Sequence, residues 1–130
     1  MKKITILLLL ALLTIRILNA ESLSFTNSRE DTPIDLFGDM VKTGTRTLDS
    51  SPPISVFKHS GYLEVTMSKF LGKISIEIFD DTNQVVYNET VDSAIQSDFY
   101  IDTAFYGVGE YEIQFTNSLG QYLYGFFVIE

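Results

Sequence analysis

The segment Lys73-Ile74-Ser75-Ile76-Glu77-Ile78-Phe79 decides the fold class, because its apolar and polar residues alternate with a period of two. In a β-strand this period places the three isoleucines on one face and their polar neighbours on the other. The acidic turn Asp80-Asp81-Thr82-Asn83 follows, and a second strand-like run begins at Val85. The two runs therefore predict neighbouring strands joined by a short turn.

The same alternation continues on both sides of this segment, with turn residues about every ten residues. No stretch after residue 20 has a helical period long enough to matter, which excludes parallel strands with helical crossovers. An all-β, immunoglobulin-like antiparallel β-sandwich of about seven strands is the fold that this pattern favours. The predicted strands cover residues 54–58, 62–67, 73–79, 85–91, 98–102, 109–116 and 122–129.

Residues 21–53 differ from this pattern and predict a loose N-terminal region. They are rich in Ser, Thr, Asp and Gly, and they end at Pro52-Pro53. Residues 34–37 could pair on a sheet edge, but one short alternation is weak evidence for a strand. The β-sandwich domain is accordingly predicted to cover residues 54–130.

The first 20 residues are typical of a secretory signal peptide. Lys2 and Lys3 precede an apolar run over residues 4–13 that is too short to span a bilayer, and cleavage is expected after Ala20. The alternative is an uncleaved N-terminal anchor, because Arg16 lies where small residues are usual. We expect an exported protein, periplasmic, cell-surface-associated or extracellular, with no stable membrane insertion after cleavage.

Composition excludes several classes of function. The chain has 130 residues, 9 Lys+Arg against 17 Asp+Glu, a net charge of −8 and no cysteine. The acidic balance and the lack of a basic stripe argue against nucleic-acid binding. Without cysteine there is no thiol nucleophile, iron–sulfur cluster or thiolate zinc site.

Catalytic and metal-binding patterns are weak, so we predict no enzyme activity, no cofactor and no metal. His59 is the only histidine, and we expect it to be a solvated residue of the hairpin turn at residues 59–61. No Gly-x-Ser-x-Gly elbow is present. The acidic turn at residues 80–83 could hold Ca²⁺, but it lacks further spaced carboxylates, and a plain Asx turn is favoured.

The tyrosines offer a candidate ligand platform. Tyr87, Tyr100, Tyr122 and Tyr124 lie on predicted strands whose alternate positions already carry apolar residues. Exposed rings could stack on sugar C–H faces, and the alternative is core and rim packing with the hydroxyls reaching water.

The order of strands and turns resembles a known family. Residues 74–80, 85–91, 109–113 with the Gly-x-Tyr element Gly109-Glu110-Tyr111, and 123–127 resemble a domain-of-unknown-function family of Bacteroides-type bacteria. Its members are small, signal-peptide-bearing β-sandwich proteins without an assigned activity, so the resemblance implies location and fold. The chain resembles more distantly the C-terminal sorting domain of type IX (Por) secretion, but here no cargo precedes it and no basic tail ends it.

The resemblance adds a modification hypothesis. Asp92-Ser93-Ala94 and Asp102-Thr103-Ala104 resemble the Asp-(Ser/Thr)-aliphatic acceptor of O-glycosylation in this bacterial group, which makes Ser93 and Thr103 candidate sites. Ordinary turns after strands are the alternative.

The favoured function is a non-enzymatic protein-interaction or structural module. The alternative is a carbohydrate-binding module that uses exposed tyrosines. The expected partner is thus a protein or a glycan, and an unpaired edge strand could also allow self-association.

Overall fold

The structure is a computed structural model that describes residues 31–41 and 51–130. These residues form nine strands, and none of them belongs to a helix long and apolar enough to cross a membrane. The predicted signal peptide lies outside the described residues. The strands are β1 (Thr32–Ile34), β2 (Phe37–Asp39), β3 (Ile54–His59), β4 (Tyr62–Met67), β5 (Lys73–Phe79), β6 (Val85–Asp92), β7 (Asp98–Asp102), β8 (Gly109–Asn117) and β9 (Tyr122–Ile129).

The strands form two antiparallel sheets. The four-stranded sheet has the order β1-β3-β4-β7, and the five-stranded sheet has the order β2-β9-β8-β5-β6. The prediction of an all-β antiparallel sandwich is confirmed, and each of the seven predicted strands ends within one residue of its predicted bounds.

The core lies between the two sheets and follows the period-two pattern. Ile74, Ile76 and Ile78 of β5 are fully buried, and so are Leu63 and Val65 of β4. Burying an aliphatic side chain of this size stabilises the fold by about 1.5–3 kcal/mol. Strand β5 lies inside its sheet, between β8 and the edge strand β6, and its alternating isoleucines cover one side of the core.

In the part of the chain that the structure describes, the sandwich already includes Thr32, well before the predicted boundary at residue 54. Strand β1 pairs with β3, and β2 pairs with β9, so the region predicted to be loose contributes one strand to each sheet. We call residues 31–41 the N-terminal strap. Its Ile34 and Met40 are buried in the core, which explains why two strands of only three residues each are held in place.

The strap crosses β9 at a glycine. A Cβ atom on Gly125 would lie 2.6 Å from the carbonyl oxygen of Asp35 and 2.9 Å from side-chain atoms of Ile34 and Leu36. Gly38, with φ at +109°, passes so close to the backbone oxygen of Tyr122 that a side chain would collide with it. A glycine inside a strand is typical of such a close backbone approach, and both glycines are needed for the strap to lie on β9.

A tyrosine corner fixes the start of β8. The Tyr111 hydroxyl donates a hydrogen bond to the carbonyl oxygen of Gly107, 2.6 Å away and four residues upstream. The Tyr111 ring stacks on Phe127 of β9 with a centroid distance of 5.5 Å. This arrangement is a hallmark of immunoglobulin-like sandwiches, where it anchors the connection between the two sheets.

Candidate functional site

The outer face of the five-stranded sheet carries a row of exposed apolar and aromatic side chains. Along β9, Leu123 and Phe127 point into the core, so the alternate residues point outward. These outward-facing residues are also aromatic or aliphatic. We call the row the aromatic ridge; it consists of Phe37, Tyr122, Tyr124, Phe126 and Val128.

Tyr124 is the centre of the ridge. Its ring centroid lies 5.8 Å from that of Phe37 on the strap and 6.0 Å from those of Tyr122 and Phe126. The ring of Phe126 stands at 81° to Tyr124, whereas Tyr122 is tilted from it by 31°. The rings therefore form a continuous but uneven apolar surface and not a flat stacking plane.

Polar side chains border the ridge on both sides. Gln114 and Glu112 of β8 lie opposite Tyr124 and Phe126, and the Gln114 amide donates a hydrogen bond of 2.9 Å to the Glu112 carboxylate. On the other side, Asp39 of β2 lies opposite Tyr122. A contiguous exposed apolar patch with a polar rim is typical of an interaction site.

The structure brings two of the four predicted platform tyrosines together. Tyr122 and Tyr124 lie in the ridge, whereas Tyr100 lies on β7 in the other sheet. Tyr87 on β6 packs against the core and donates a hydrogen bond to Glu89. Burial, and next the contact with Glu89, raise the pKa of the Tyr87 hydroxyl, so this group stays protonated.

Sequence reasoning missed the other members of the ridge. Phe37 lies in the region predicted to be loose, and Phe126 and Val128 are not tyrosines, so a search for a tyrosine platform passed over them. The available signal was β9 itself, because a strand that is apolar on both faces is either covered on both or binds something.

His59 is not the solvated turn residue that we predicted. It is the last residue of β3, the turn consists of Ser60-Gly61, and the imidazole is only 11% exposed. The ring stacks on Tyr62 with a centroid distance of 4.5 Å. Strand pairing explains the error, because it places His59 directly opposite Tyr62 on the outer face of the four-stranded sheet.

Both ring nitrogens of His59 contact carboxylates. Nδ1 lies 2.8 Å from Asp31 Oδ1, and Nε2 lies 2.8 Å from Glu64 Oε2. Because both nitrogens are engaged, neither is available as a general base, and the cluster ties the strap to β4 instead.

The two candidate glycosylation residues are buried. Ser93 is 0% and Thr103 is 2% exposed, so neither hydroxyl can be reached from solvent in the folded domain. This burial argues against O-glycosylation of the folded protein and supports the alternative of ordinary turns.

The two Asp-(Ser/Thr)-Ala segments form the same local structure. In each, the aspartate carboxylate accepts a hydrogen bond from the alanine N–H two residues later, as in an Asx turn. The backbone N–H of the hydroxyl residue donates to the carbonyl oxygen of a glycine from another loop. The N–H of Ala94 donates to the Asp92 carboxylate, and the N–H of Ala104 donates to the Asp102 carboxylate. The N–H of Ser93 donates to the Gly72 carbonyl, and the N–H of Thr103 donates to the Gly61 carbonyl.

Substitutions of the two hydroxyl residues are expected to have opposite effects. The Ser93 Oγ accepts a hydrogen bond from the backbone N–H of Leu71, so Ser93→Ala leaves a buried donor without a partner and costs about 1–3 kcal/mol. The buried Thr103 Oγ1 has no partner among the described residues, so Thr103→Val is expected to be neutral or stabilising. Urea denaturation of the two variants measures the difference, and equal losses of stability would contradict it.

The acidic turn after β5 is an Asx turn. Asp80 Oδ1 accepts hydrogen bonds from the backbone N–H groups of Thr82 and Gln84 and from the Thr82 hydroxyl. Asn83 adopts the left-handed conformation, with φ at 63°. These three donors account for the position of the Asp80 carboxylate, so no cation is needed to hold the turn. Within the described ranges, no group of three or more His, Asp or Glu side chains is arranged to hold a metal ion.

The Asp80 turn predicts a pH effect. The Thr82 hydroxyl, and next the Gln84 N–H, lower the pKa of the Asp80 carboxyl from its usual 3.8. A depressed pKa means that this carboxylate stabilises the fold above its unfolded pKa and that the contribution is lost as the pH falls through the folded value. An NMR titration should show Asp80 protonating below pH 3.8; Thr82→Val removes the hydroxyl that donates to Asp80 and should raise that midpoint. A titration at or above 3.8 in the native protein would contradict the assignment.

Comparison with known proteins yields a family and a related structure. The family described as "Domain of unknown function (DUF3244)" matches residues 33–129. The match begins within β1, which agrees with the observed start of the sandwich. Among curated proteins, none matches the chain.

One similar solved structure is a DUF3244 family protein with an immunoglobulin-like β-sandwich fold from Bacteroides vulgatus. It is 23% identical, has a TM-score of 0.65, and the alignment covers 77% of this chain and 99% of that one. The predictions of an immunoglobulin-like fold and of a Bacteroides-type family of unknown function are confirmed.

Proposed function

We propose that this chain, which belongs to the DUF3244 family, is an exported, non-enzymatic interaction module whose aromatic ridge binds a protein partner at the periplasmic or outer cell surface. The observation that carries the proposal is the ridge itself. Its exposed members are about half accessible, and three of its rings contact Tyr124. Apolar side chains in such a row are usually buried by a partner.

Charge supports a partner other than a second copy. The described residues carry 3 Lys against 14 Asp+Glu, a balance of 3 − 14 = −11. Asp39, Glu110 and Glu112 lie on the same face as the ridge. Two copies meeting face to face would bring these carboxylates together, and such juxtaposition of like charges opposes association. A partner with an apolar centre and a basic rim fits the face better.

A carbohydrate is the second candidate ligand. The adjacent Tyr122 and Tyr124 rings, with the amide of Gln114 and the carboxylate of Glu112 beside them, combine stacking surfaces with hydrogen-bonding groups. The steep angle between Tyr124 and Phe126 is less suited to the flat faces of a polysaccharide. Retention of the native protein, but not of Tyr124→Ser, on a polysaccharide gel would favour this candidate.

Site-specific photo-crosslinking in the native host tests protein binding. A chain with Phe126→p-benzoylphenylalanine carries the crosslinker within the ridge, and Phe105→p-benzoylphenylalanine is the matched control. Phe105 is an aromatic residue that is 95% exposed in the loop after β7. We expect a discrete protein adduct from position 126 that is absent from position 105 and is lost when Tyr124→Ser is added.

Other outcomes reject the proposed partner. Equal adducts from both positions would mean that contact is not specific to the ridge. An adduct of twice the chain mass would indicate a second copy. No adduct, together with retention on a polysaccharide gel, would favour the carbohydrate.

Cell fractionation with intact-mass measurement tests export separately. We expect a species cleaved after Ala20 in the periplasm, on the surface or in the medium. An uncleaved chain in the inner membrane would mean that the N-terminus acts as an anchor. Excess mass on the cleaved species would support the hypothesis of O-glycosylation, despite the burial of Ser93 and Thr103 in the folded domain.

A further inference from the structure

We propose that the free edge of β7 binds a basic, extended peptide segment of a partner protein by strand addition. This surface belongs to the four-stranded sheet and is separate from the aromatic ridge. The proposal therefore stands or fails independently of the proposed function.

Strand β7 is an edge strand with an exposed outer row. It pairs only with β4 among the described strands, so its other side presents backbone donors and acceptors that no described strand pairs with. Phe99 and Ile101 point into the core, and Asp98, Tyr100 and Asp102 point outward. Tyr100 is 69% exposed.

Carboxylates surround the Tyr100 ring. Asp98 and Asp102 lie two residues before and after it on the same face, and Glu64 of β4 lies directly opposite it. Tyr62, opposite Asp102, contacts the Tyr100 ring edge-on with a centroid distance of 5.6 Å. A cationic side chain placed over this tyrosine would thus gain both carboxylate and cation–π contacts.

No lysine of the described residues neutralises this row. Lys58 lies opposite Leu63, whose side chain faces the core, Lys69 lies in the loop after β4, and Lys73 belongs to the other sheet. Among the described residues, the one basic side chain on this face is the His59 imidazole, whose two nitrogens already contact Asp31 and Glu64.

The spacing of the carboxylates favours a peptide over a metal ion. Side chains on one face of a strand recur every two residues, about 7 Å apart, so Asp98 and Asp102, four residues apart, lie about 13 Å from each other and cannot converge on one cation. An added antiparallel strand repeats with the same period and places its own side chains directly opposite those of β7. Lysine or arginine at alternate positions would then face Asp98, Tyr100 and Asp102, with apolar residues between them.

A second copy of β7 does not fit this edge. Antiparallel pairing of two such strands would set the aspartates of one copy against those of the other or against the tyrosine. Like charges directly opposite each other destabilise a strand pair. The aspartates thus oppose self-association and at the same time favour a basic strand.

An NMR titration with synthetic peptides tests the proposal on the mature chain. The probe is a peptide of about seven residues in which lysine alternates with valine, a length typical of strands. A peptide with glutamate in place of lysine and a lysine-rich peptide without the alternation are the controls. We expect the probe alone to shift the backbone amides of residues 98–102, and salt to weaken the binding.

Charge variants locate the site. In Asp98→Asn with Asp102→Asn, the amide oxygen at position 102 can still accept the hydrogen bond from Ala104, so the turn is kept. This variant should bind the probe roughly 3- to 10-fold more weakly. The charge-matched control, Asp81→Asn with Glu130→Gln, changes two exposed acids elsewhere and should bind normally.

Three results would overturn the proposal. They are no shifts at β7 at millimolar probe, equal binding of the two lysine peptides, and equal weakening by both charge variants. If the aspartates served only to keep the edge unpaired, Asp98→Asn with Asp102→Asn would instead self-associate without any affinity of the native protein for the probe.

Discussion

Gly125→Ala should destabilise the protein by at least about 2 kcal/mol, although it adds a single methyl group. The added Cβ would lie 2.6 Å from the Asp35 carbonyl oxygen, a backbone atom that cannot move without displacing the strap. Strand β2 would then separate from β9, and Phe37 would leave the aromatic ridge. Urea denaturation followed by far-UV circular dichroism measures the loss, since the chain has no tryptophan to report it.

Gly107→Ala is the matched control. A Cβ at this position would meet only the Tyr111 hydroxyl, 3.9 Å away, which is an ordinary contact. We expect this variant to stay within about 0.5 kcal/mol of the native protein. Equal stability of the Gly125 and Gly107 variants would show that the strap does not cross β9 as described.

Removal of the strap should have the second large effect. A mature chain that begins at residue 42 lacks Ile34 and Met40, two buried core side chains that contribute about 1.5–3 kcal/mol each. The truncation also uncovers the edges of β3 and β9, which β1 and β2 occupy in the native sheets. We therefore expect a loss of about 3–6 kcal/mol in the free energy of unfolding and association through the exposed edges.

A chain that begins at residue 31 separates the strap from the residues before it. It keeps β1 and β2, and we expect its urea midpoint and its elution in size-exclusion chromatography to match those of the mature chain. A stable monomer that begins at residue 42 would contradict the account, because the strap would then contribute little to the stability of the sandwich.

The seven long strands could be predicted because each carries its own signal. In β5 the alternation of isoleucine with polar residues is local, and no partner strand is needed to recognise it. The strap gives no such signal, since strands of three residues are too short to show a period. Its traces were the short alternation at residues 34–37 and Gly125, a residue without a side chain in an otherwise bulky strand.

The error at His59 and the unforeseen burial of Ser93 and Thr103 share one physical cause. His59 looked solvated because its neighbours in sequence are turn residues, whereas Asp31, Glu64 and Tyr62 reach it only through strand pairing. O-glycosylation of Ser93 and Thr103 stays a prediction, and the three-residue pattern that suggested it gave no sign that both residues are buried in the fold. Burial and cross-strand contacts depend on the whole fold, so a short motif does not reveal them.

Crosslinking from Phe37 tests most directly whether the strap and β9 together form the binding surface. Phe37 belongs to the strap, and its ring lies 5.8 Å from Tyr124 at the centre of the ridge. We predict that Phe37→p-benzoylphenylalanine yields the same protein adduct as the crosslinker at position 126, and that Gly125→Ala abolishes the adduct from position 37. A different adduct, none at all, or one that persists in the Gly125 variant would contradict the account.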